Sequence, residues 1–259
     1  MRSAALLLAA SIALPPLARA RAADTAALTA AAHALQDGVT HANVDAILAA
    51  RATLAGIGVD HPSAVADYWI ALASWCAEPL LLARDRDGAR RLLKEGIDAS
   101  DRAFAADPKF GEALAVKAGL QGLSLTFVPS AAPSLAPEMD ESFSRARSLE
   151  PKNPRVLLLQ GIYLLHKPER FGGGAARAKP LFERAAALEA AQAPDPRGID
   201  WGADDVLLWY GRCLAALGDW AGARERYRAV LALEPDHAWV RDELLPEAER
   251  HLAAPADSR

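Results

Sequence analysis

Apolar residues recur along most of the chain at the spacing of one face of an α-helix. Alanine and leucine supply most of them, and no segment shows sustained alternation of β-branched residues. Acidic residues followed by proline interrupt the pattern at Asp107-Pro108, Glu150-Pro151 and Glu234-Pro235. The pattern predicts eleven helices, over residues 25–36, 41–56, 62–83, 86–106, 111–126, 138–149, 154–166, 175–190, 204–217, 220–233 and 238–251.

Residues 204–237 form the most regular unit, a 34-residue stretch that divides into two helices. Its key positions are Leu207, Tyr210, Gly211 and Leu214 on the first helix, and Ala223, Tyr227, Val230 and Pro235 on the second. Small residues on both helices allow their backbones to approach closely, and Tyr227 fills the space one turn further on. This size and spacing are typical of a tetratricopeptide (TPR) helix–turn–helix.

Partial copies of the same unit precede it in phase. Leu157 and Gly161 match Leu207 and Gly211, whereas Ala178, Phe182 and Ala185 match Ala223, Tyr227 and Val230. Each repeat of this kind buries its apolar face only by stacking on its neighbours. We therefore predict an all-α fold, a right-handed, TPR-like α-solenoid of about ten or eleven helices in antiparallel pairs.

Four segments follow from the same pattern. Residues 1–22 have a short positive start, an apolar run of about ten residues and small-x-small endings, the features of a secretory signal peptide. An uncleaved, disordered leader is the alternative. The other segments are divergent N-terminal helical hairpins over 23–85, TPR-like repeats over 86–251 and a disordered tail over 252–259. We expect a periplasmic or secreted protein with no membrane span, because a span needs roughly 20 apolar residues.

Charge and cysteine content narrow the class further. The formal net charge is −4 at pH 7, and removing a leader that contains arginine but no acidic residue makes it more negative. A chain of this charge lacks the basic surface that nucleic-acid binding requires. Cys76 and Cys213 are expected on separate apolar helix faces, and two separate buried thiols are favoured over a disulfide, because distant repeats of a stack do not touch.

Three long connections are predicted, over residues 126–137, 167–174 and 190–203. The first contains three prolines and is interpreted as non-helical, and the third contains Trp201. Loops of this length in a compact repeat array are usually functional or mobile. The central and C-terminal parts of the stack are therefore expected to have an elaborate edge.

Residues 86–251 resemble the TPR superfamily, most specifically at 204–237. The insertion Pro168-Glu-Arg-Phe-Gly-Gly-Gly174, ahead of Ala178 to Ala185, is similar to exported bacterial members of that superfamily and, among them, to the T component of TRAP-type solute transporters. The lipid-anchored cysteine expected of that component is missing here. The resemblance implies a scaffold for binding other molecules.

Recognised catalytic motifs are missing from the sequence. It has no Gly-x-Ser-x-Gly, P-loop, His-Glu-x-x-His or Cys-x-x-Cys motif, and Phe171-Gly-Gly-Gly174 is better explained as a hinge or a positive-φ turn. His33, Asp37 and His41 have the spacing of metal ligands, but Gly38 and Thr40 favour a helix end there. The motif Asp85-Arg-Asp-Gly88 is read as a helix cap and not as a calcium loop. We expect no catalysis, no cofactor and no metal site.

Candidate binding residues follow from the superfamily geometry, in which the first helix of each pair lines the concave surface. Counting from repeat starts at 111, 154 and 204, together with the one tryptophan predicted in a loop, selects Glu112, Arg155, His166, Trp201, Asp205 and Arg212. The alternatives are solvated polar positions for the charged residues and core packing for the tryptophan. Mixed charges of this kind suit the termini of a peptide or a small carboxylate.

Two hypotheses of function remain open. The first is an exported TPR scaffold that mediates protein–protein interaction in the cell envelope, with another envelope protein or peptide as its partner. The second is a small-molecule-binding accessory component of a transport system, indicated by the 168–174 insertion and the loops. Neither involves nucleic acid.

Overall fold

The computed structural model describes residues 16–191 and 194–253. These residues form eleven α-helices, and no strand occurs within the described ranges. The helices are α1 (Pro16–Thr40), α2 (Val44–Asp60), α3 (Ala64–Leu82), α4 (Arg86–Ala106), α5 (Gly111–Ser124), α6 (Ala132–Leu149), α7 (Pro154–His166), α8 (Ala175–Glu189), α9 (Ala203–Ala216), α10 (Trp220–Leu233) and α11 (Leu245–Ala253). Short 3₁₀ turns lie at Pro129–Ala131 and Glu169–Phe171, and a π-helical stretch, Val240–Leu244, leads into α11.

Consecutive helices pack as five pairs, from α1 with α2 to α9 with α10, and α11 packs on α10. The first helices of successive pairs also contact one another, α1 with α3, α3 with α5, α5 with α7 and α7 with α9. The core is a continuous apolar cluster that runs from Ala31 to Ala248. The predicted all-α solenoid of helix pairs is therefore confirmed.

Glycine–aromatic contacts set the crossing of the last helix pairs. A β-carbon added at Gly211 would lie 2.5 Å from Cε1 of Tyr227, and one at Gly161 would lie 2.7 Å from Cε1 of Phe182. Real β-carbons do not approach other atoms so closely, so the small residue is needed for the aromatic ring to pack. The repeat register predicted from these pairs is confirmed.

Several local predictions are also confirmed. Asp85 caps α4 by accepting the amide N–H of Gly88 at 2.8 Å. Gly172 and Gly174 have φ values of 83° and 96°, as expected for the positive-φ turn of the glycine run. The two cysteines are free thiols.

Several helix boundaries differ from the prediction. Helix α1 begins at Pro16 and not at residue 25, and α2 ends at Asp60 and not at residue 56. Residues 132–137 belong to α6 and not to a loop. Pro133 lies in the first turn, where a backbone N–H has no partner within the helix, and α6 accommodates Pro137 in its interior. Residues 37–40 continue α1, because Gly38 does not break the helix. A β-carbon at Gly38 would lie 3.0 Å from Cγ1 of Ile47, so the glycine permits a close contact between α1 and α2.

The predicted leader and tail fall mostly outside the described residues. Residues 1–15 of the leader lie outside them, and its last residues lie in α1, which begins at Pro16. Of the predicted tail, 254–259 lie outside the described residues as well. No helix in the described part is both long enough and apolar enough to cross a bilayer.

Candidate functional site

The segment between α8 and α9 crosses the first helices of several pairs. We call residues 194–202 the return loop. Asp200 of the return loop accepts hydrogen bonds from two side chains of α1, from His33 Nε2 at 2.9 Å and from Gln36 Nε2 at 3.1 Å. Trp201 Nε1 donates to the hydroxyl of Tyr68 on α3 at 2.5 Å. The return loop therefore joins the C-terminal repeats to the N-terminal hairpins.

A buried ion pair lies beneath the return loop. Arg155 Nε on α7 donates to Glu112 Oε1 on α5 at 2.8 Å, and Arg155 Nη2 donates to Asp195 Oδ2 of the loop at 2.8 Å. Asn153 Nδ2 donates to the other oxygen of Glu112 at 2.6 Å, and the Tyr68 hydroxyl donates to Oε1. Glu112 is 0% exposed and Arg155 is 1% exposed. Each buried charge thus has opposite charge and hydrogen bonds to compensate its loss of water.

Burial and the charge of Glu112 shift the pKa values of Arg155 and Tyr68 in this network. Burial lowers the pKa of Arg155, but the charge of Glu112 outweighs it and the net pKa lies above the usual value. Burial, and then the Glu112 charge, raise the pKa of Tyr68 well above its usual value. Tyr68 therefore stays a neutral donor, and neither group can act as a general base near neutral pH.

Arg197 of the return loop binds the carboxylates that precede two of the repeat prolines. Its Nη2 donates to Asp107 Oδ2 at 2.8 Å, and its Nη1 donates to Glu150 Oε1 at 2.9 Å. The guanidinium carbon lies 4.3 Å from the centre of the Phe110 ring. The acidic residues of two helix-stop motifs therefore also anchor the loop.

A cleft remains where α1 faces the end of the stack. Its inner part is a cavity of about 60 Å³, and its outer part is an open groove of about 350 Å³. The cavity is lined by Leu35, Gln36, Val39, Thr40, Trp69, Leu72, Cys76, Trp201, Asp204, Asp205 and Glu234. The groove is lined by His33, Gln36, Asp37, Thr40, His41, Glu234, Pro235 and Asp236. We call the two parts together the cleft; no lysine or arginine of the described residues lines either part.

The carboxylates at the start of α9 in the inner cavity have no positively charged partner among the described residues. Neither Asp204 nor Asp205 makes a side-chain hydrogen bond or ion pair there. Burial, and then the charge of Asp204, raise the pKa of Asp205 well above its usual value. Burial, followed by both carboxylates, likewise raises the pKa of Cys76. Burial and the charge of Asp204 therefore disfavour the ionised form of Asp205, and a positive group in the cavity would favour it.

The predicted site residues fall into three places. Glu112, Arg155 and Trp201 meet in the buried network, so their polar atoms are not accessible to a partner in this structure. The alternative of solvated polar positions is wrong for Glu112 and Arg155, because both are buried. Asp205 lines the inner cavity of the cleft. The other charged side chains in the lining of that cavity are also carboxylates, those of Asp204 and Glu234.

His166 and Arg212 lie at the other ends of α7 and α9. The guanidinium carbon of Arg212 is 4.8 Å from the ring centres of both Trp209 and Trp239. His166 approaches Trp209 edge-on, with ring centres 5.7 Å apart. These four side chains form an aromatic–arginine cluster that is separate from the cleft.

Sequence reasoning misses several residues of the cleft. It assigns Thr40 only to a helix end, Trp69 only to the core, and Glu234 only to a helix stop. Asp204 adjoins the selected Asp205, and its position at the start of α9 is the one signal that the sequence offers. The His33, Asp37 and His41 spacing does not form a metal centre here, since no suitable group of three metal-binding side chains occurs in the described part of the chain.

Comparison with known proteins identifies the fold and no narrower class. No family model and no curated protein matches the sequence. The structure is similar to the HusA haemophore from Porphyromonas gingivalis, with a TM-score of 0.60 and 20% identity, covering 78% of this chain and 96% of that one. It is also similar to a thermophilic TPR protein of Thermus thermophilus, with a TM-score of 0.57 and 14% identity, covering 88% and 100% of the two chains. The chain therefore has the fold of TPR-like helical proteins.

Proposed function

We propose that this protein is an exported, non-catalytic binding protein that holds a small ligand in the cleft. One observation carries the proposal. The return loop covers the inner surface at Glu112 and Arg155, while the cleft beside it keeps polar groups without partners among the described residues. A stacked solenoid normally offers its concave surface to partners. Beside the return loop lie the cavity of about 60 Å³ and the groove of about 350 Å³, and the volume of the groove is in the range of small-molecule sites.

The chemistry of the buried network and of the cleft supports a binding role. The network holds its tyrosine neutral and its arginine charged, and the cleft offers acidic groups without an oriented nucleophile among the described residues. The leader-like pattern of residues 1–22 supports export, as do the features shared with exported TPR proteins. An accessory role in a transport system is consistent with both.

Haem fits the cleft poorly, although one protein of similar fold is described as a haemophore. Haem carries two propionates, and in the inner cavity these would face the carboxylates of Asp204 and Asp205 without a lysine or arginine in the described lining. Burying like charges together is unfavourable. We therefore do not transfer that ligand to this protein.

Protein–protein interaction is the second candidate, and the aromatic–arginine cluster supports it. Trp209, Arg212 and Trp239 are partly exposed, and tryptophan and arginine are the residues most enriched at interface hot spots. Under this alternative an envelope protein docks at the far end of α7 and α9. The cleft would then be unnecessary for binding.

Thermal denaturation with a ligand panel tests the proposal. The panel contains organic acids, sugars, short peptides, haemin and amines, and it is applied to the wild type and to Thr40→Val. A ligand at 100 times its dissociation constant stabilises the fold by about 2.7 kcal/mol, which is readily measured. We expect at least one compound to raise the melting temperature of the wild type and to do so less in Thr40→Val. If Trp209→Ala abolishes the shift and Thr40→Val does not, the site is the aromatic–arginine cluster and the proposal is wrong.

A further inference from the structure

The cleft has a strong imbalance of charge. Its carboxylates are Asp37, Asp204, Asp205, Glu234 and Asp236. Two histidines are the only side chains in its described lining that are able to become cationic, and each already contacts a carboxylate. His33 is bonded to Asp200 at 2.9 Å, and His41 Nδ1 lies 3.4 Å from an oxygen of Asp37. Asp236 lies 3.6 Å from Nη1 of Arg241, which is outside the lining. Asp204, Asp205 and Glu234 have no ion-pair partner among the described residues, so the inner part of the lining keeps an excess of carboxylates.

Thr40 supplies an independent indication of a ligand. Its residue is only 9% exposed, and it lines both the cavity and the groove at their junction. Its hydroxyl has no hydrogen-bond partner among the described residues, although Thr29 and Thr53 bond to the carbonyl four residues earlier in their helices. Most of Thr40 is buried, but its hydroxyl is not one of the fully buried atoms that lack a partner, so it reaches the accessible space of the cleft. There it is free to form a hydrogen bond with a bound molecule.

Aromatic side chains complete the wall of the inner cavity. Trp69 is 1% exposed and Trp201 is 7% exposed, and both line this space with the acidic groups of α9. The face of an indole ring attracts a cation through its quadrupole, most strongly where water is excluded. Aromatic rings beside uncompensated carboxylates are a suitable environment for an organic ammonium group.

The shape of the cleft restricts the length and width of the ligand. The cavity holds about four to six water molecules, taking about 10–15 Å³ for each. That space accommodates an ammonium group with a short aliphatic stem. The larger groove continues from it through the shared residues Gln36, Thr40 and Glu234, and it has acidic groups of its own. A narrow, extended molecule with a cationic group at each end matches both parts.

We propose that the cleft binds a linear aliphatic diamine or polyamine. One ammonium group lies in the inner cavity, where it donates hydrogen bonds to Asp204, Asp205 and the hydroxyl of Thr40. The aliphatic stem passes Thr40, and the second ammonium group lies among Asp37, Glu234 and Asp236 in the groove. This inference deepens the proposed function and rests on it.

Isothermal titration calorimetry with the full chain tests the inference. The probes are putrescine and spermidine, with butylamine as the monoamine and butanediol as the uncharged analogue. We expect putrescine to bind at least ten-fold more tightly than butylamine, butanediol not to bind, and affinity to fall as salt increases, because the contacts are electrostatic. Equal binding of putrescine and butanediol, or no binding of either diamine or polyamine, would overturn it.

Matched variants test the position of the amine. Asp204→Asn combined with Asp205→Asn removes two charges from the cavity, and Asp60→Asn combined with Asp87→Asn removes two from the exposed surface. We expect the first pair to weaken putrescine binding at least ten-fold and the second to leave it within two-fold. Thr40→Val, which keeps the shape and removes the hydroxyl, should weaken binding about three-fold or more. Circular dichroism establishes that each variant is folded, and equal losses in both pairs would contradict a specific site.

Tryptophan fluorescence separates failure of the inference from failure of the proposed function. An amine in the cavity should change the emission of the wild type, and Trp69→Phe should reduce that change. If amines do not bind but haemin, a sugar or a carboxylate binds with dependence on Thr40, the proposed function stands and this inference is wrong. If no compound of the panel depends on Thr40, both are wrong.

Discussion

Equivalent repeat positions have opposite outcomes in the buried network and in the cleft. Glu112 and Arg155 are each the second residue of the first helix in a repeat, and Asp205 lies in the same first turn of α9. Glu112 and Arg155 lie in adjacent repeats and neutralise each other at 2.8 Å. Asp205 lies in the next repeat, beside the acidic Asp204, and has no partner among the described residues. The repeat pattern fixes the position, whereas the neighbouring residues determine whether the charge is structural or open to a ligand.

The acidic residues of the helix-stop motifs show the same contrast. Asp107 and Glu150 both bind Arg197 of the return loop. Glu234, at the third such motif, lines the cleft without an ion-pair partner in the described part of the chain. The return loop thus neutralises the earlier repeats and leaves the last one uncompensated. The proposed binding cleft therefore lies where the internal pairing of charges stops.

The largest expected effect is on the paired region. Arg155→Met removes the cation while leaving Glu112 and Asp195 in place, and one of these is fully buried. Breaking a buried pair in this way costs about 3–5 kcal/mol of unfolding free energy. Urea denaturation measures the loss, and the double variant with Glu112→Gln should recover part of it. A loss below about 1 kcal/mol would mean that the network is not a structural element.

An intermediate effect is expected at the partly exposed edge of the same network. Arg197→Ala should cost about 1–2 kcal/mol, because it removes charge-assisted hydrogen bonds that remain partly solvated. The hydrogen bond from Arg197 lowers the pKa of Asp107. The contribution of this Arg197–Asp107 pair to the free energy of unfolding is therefore fully present above the pKa of an aspartate in the unfolded chain. It is lost as the pH falls through the lowered pKa of Asp107 in the folded protein.

Urea denaturation at several pH values checks this second effect. The difference between the wild type and Arg197→Ala should narrow as the pH falls below about 4. The control is Arg228→Ala, which breaks the ion pair with Glu249, whose two side chains are both about half exposed, and it should cost at most about 1 kcal/mol. Equal costs for the two variants would show that the return loop is not anchored through Arg197.

The smallest effect, with the opposite sign, is expected in the cleft. Asp205→Asn removes an uncompensated charge, so stability at pH 7 should be unchanged or rise by up to about 1 kcal/mol. Because the folded pKa is raised, the ionised carboxylate destabilises the fold once the pH exceeds the unfolded value. The benefit of the variant should therefore disappear as the pH falls toward about 4. Destabilisation comparable to that of Arg155→Met would contradict the comparison.

Much of the fold is readable from local patterns. Gly161 and Gly211 indicate close helix crossings from their spacing alone, and Asp85 indicates a cap, because each effect involves residues of one helix or one pair. The boundary at Ala132 escapes prediction because Pro133 lies in the first turn, which tolerates proline, and because α6 accommodates Pro137 in its interior despite the usual cost. The continuation of α1 through Gly38 escapes it because the contact that explains it comes from Ile47 on the next helix.

The candidate site could be predicted only in part. Five selected positions follow from helix starts and helix faces, and Trp201 follows from its place in a predicted loop. Pairing between Arg155 and Glu112 involves residues 43 positions apart, and that between Trp201 and Tyr68 involves residues 133 apart. A periodic pattern within one repeat cannot indicate contacts between residues so far apart in the sequence. Thr40 and Glu234 are therefore assigned by sequence to helix ends and not to a common cleft.

The sequence by itself determined the helical class, the repeat register and the small-residue contacts, because these depend on spacing within about 34 residues. Only the tertiary structure decided which charges are buried in pairs and which remain open. That outcome depends on how the stack brings α1 close to α9 and on the path of the return loop between them. The physical reason is that desolvation and charge pairing act between groups that are near in space, irrespective of their separation along the chain.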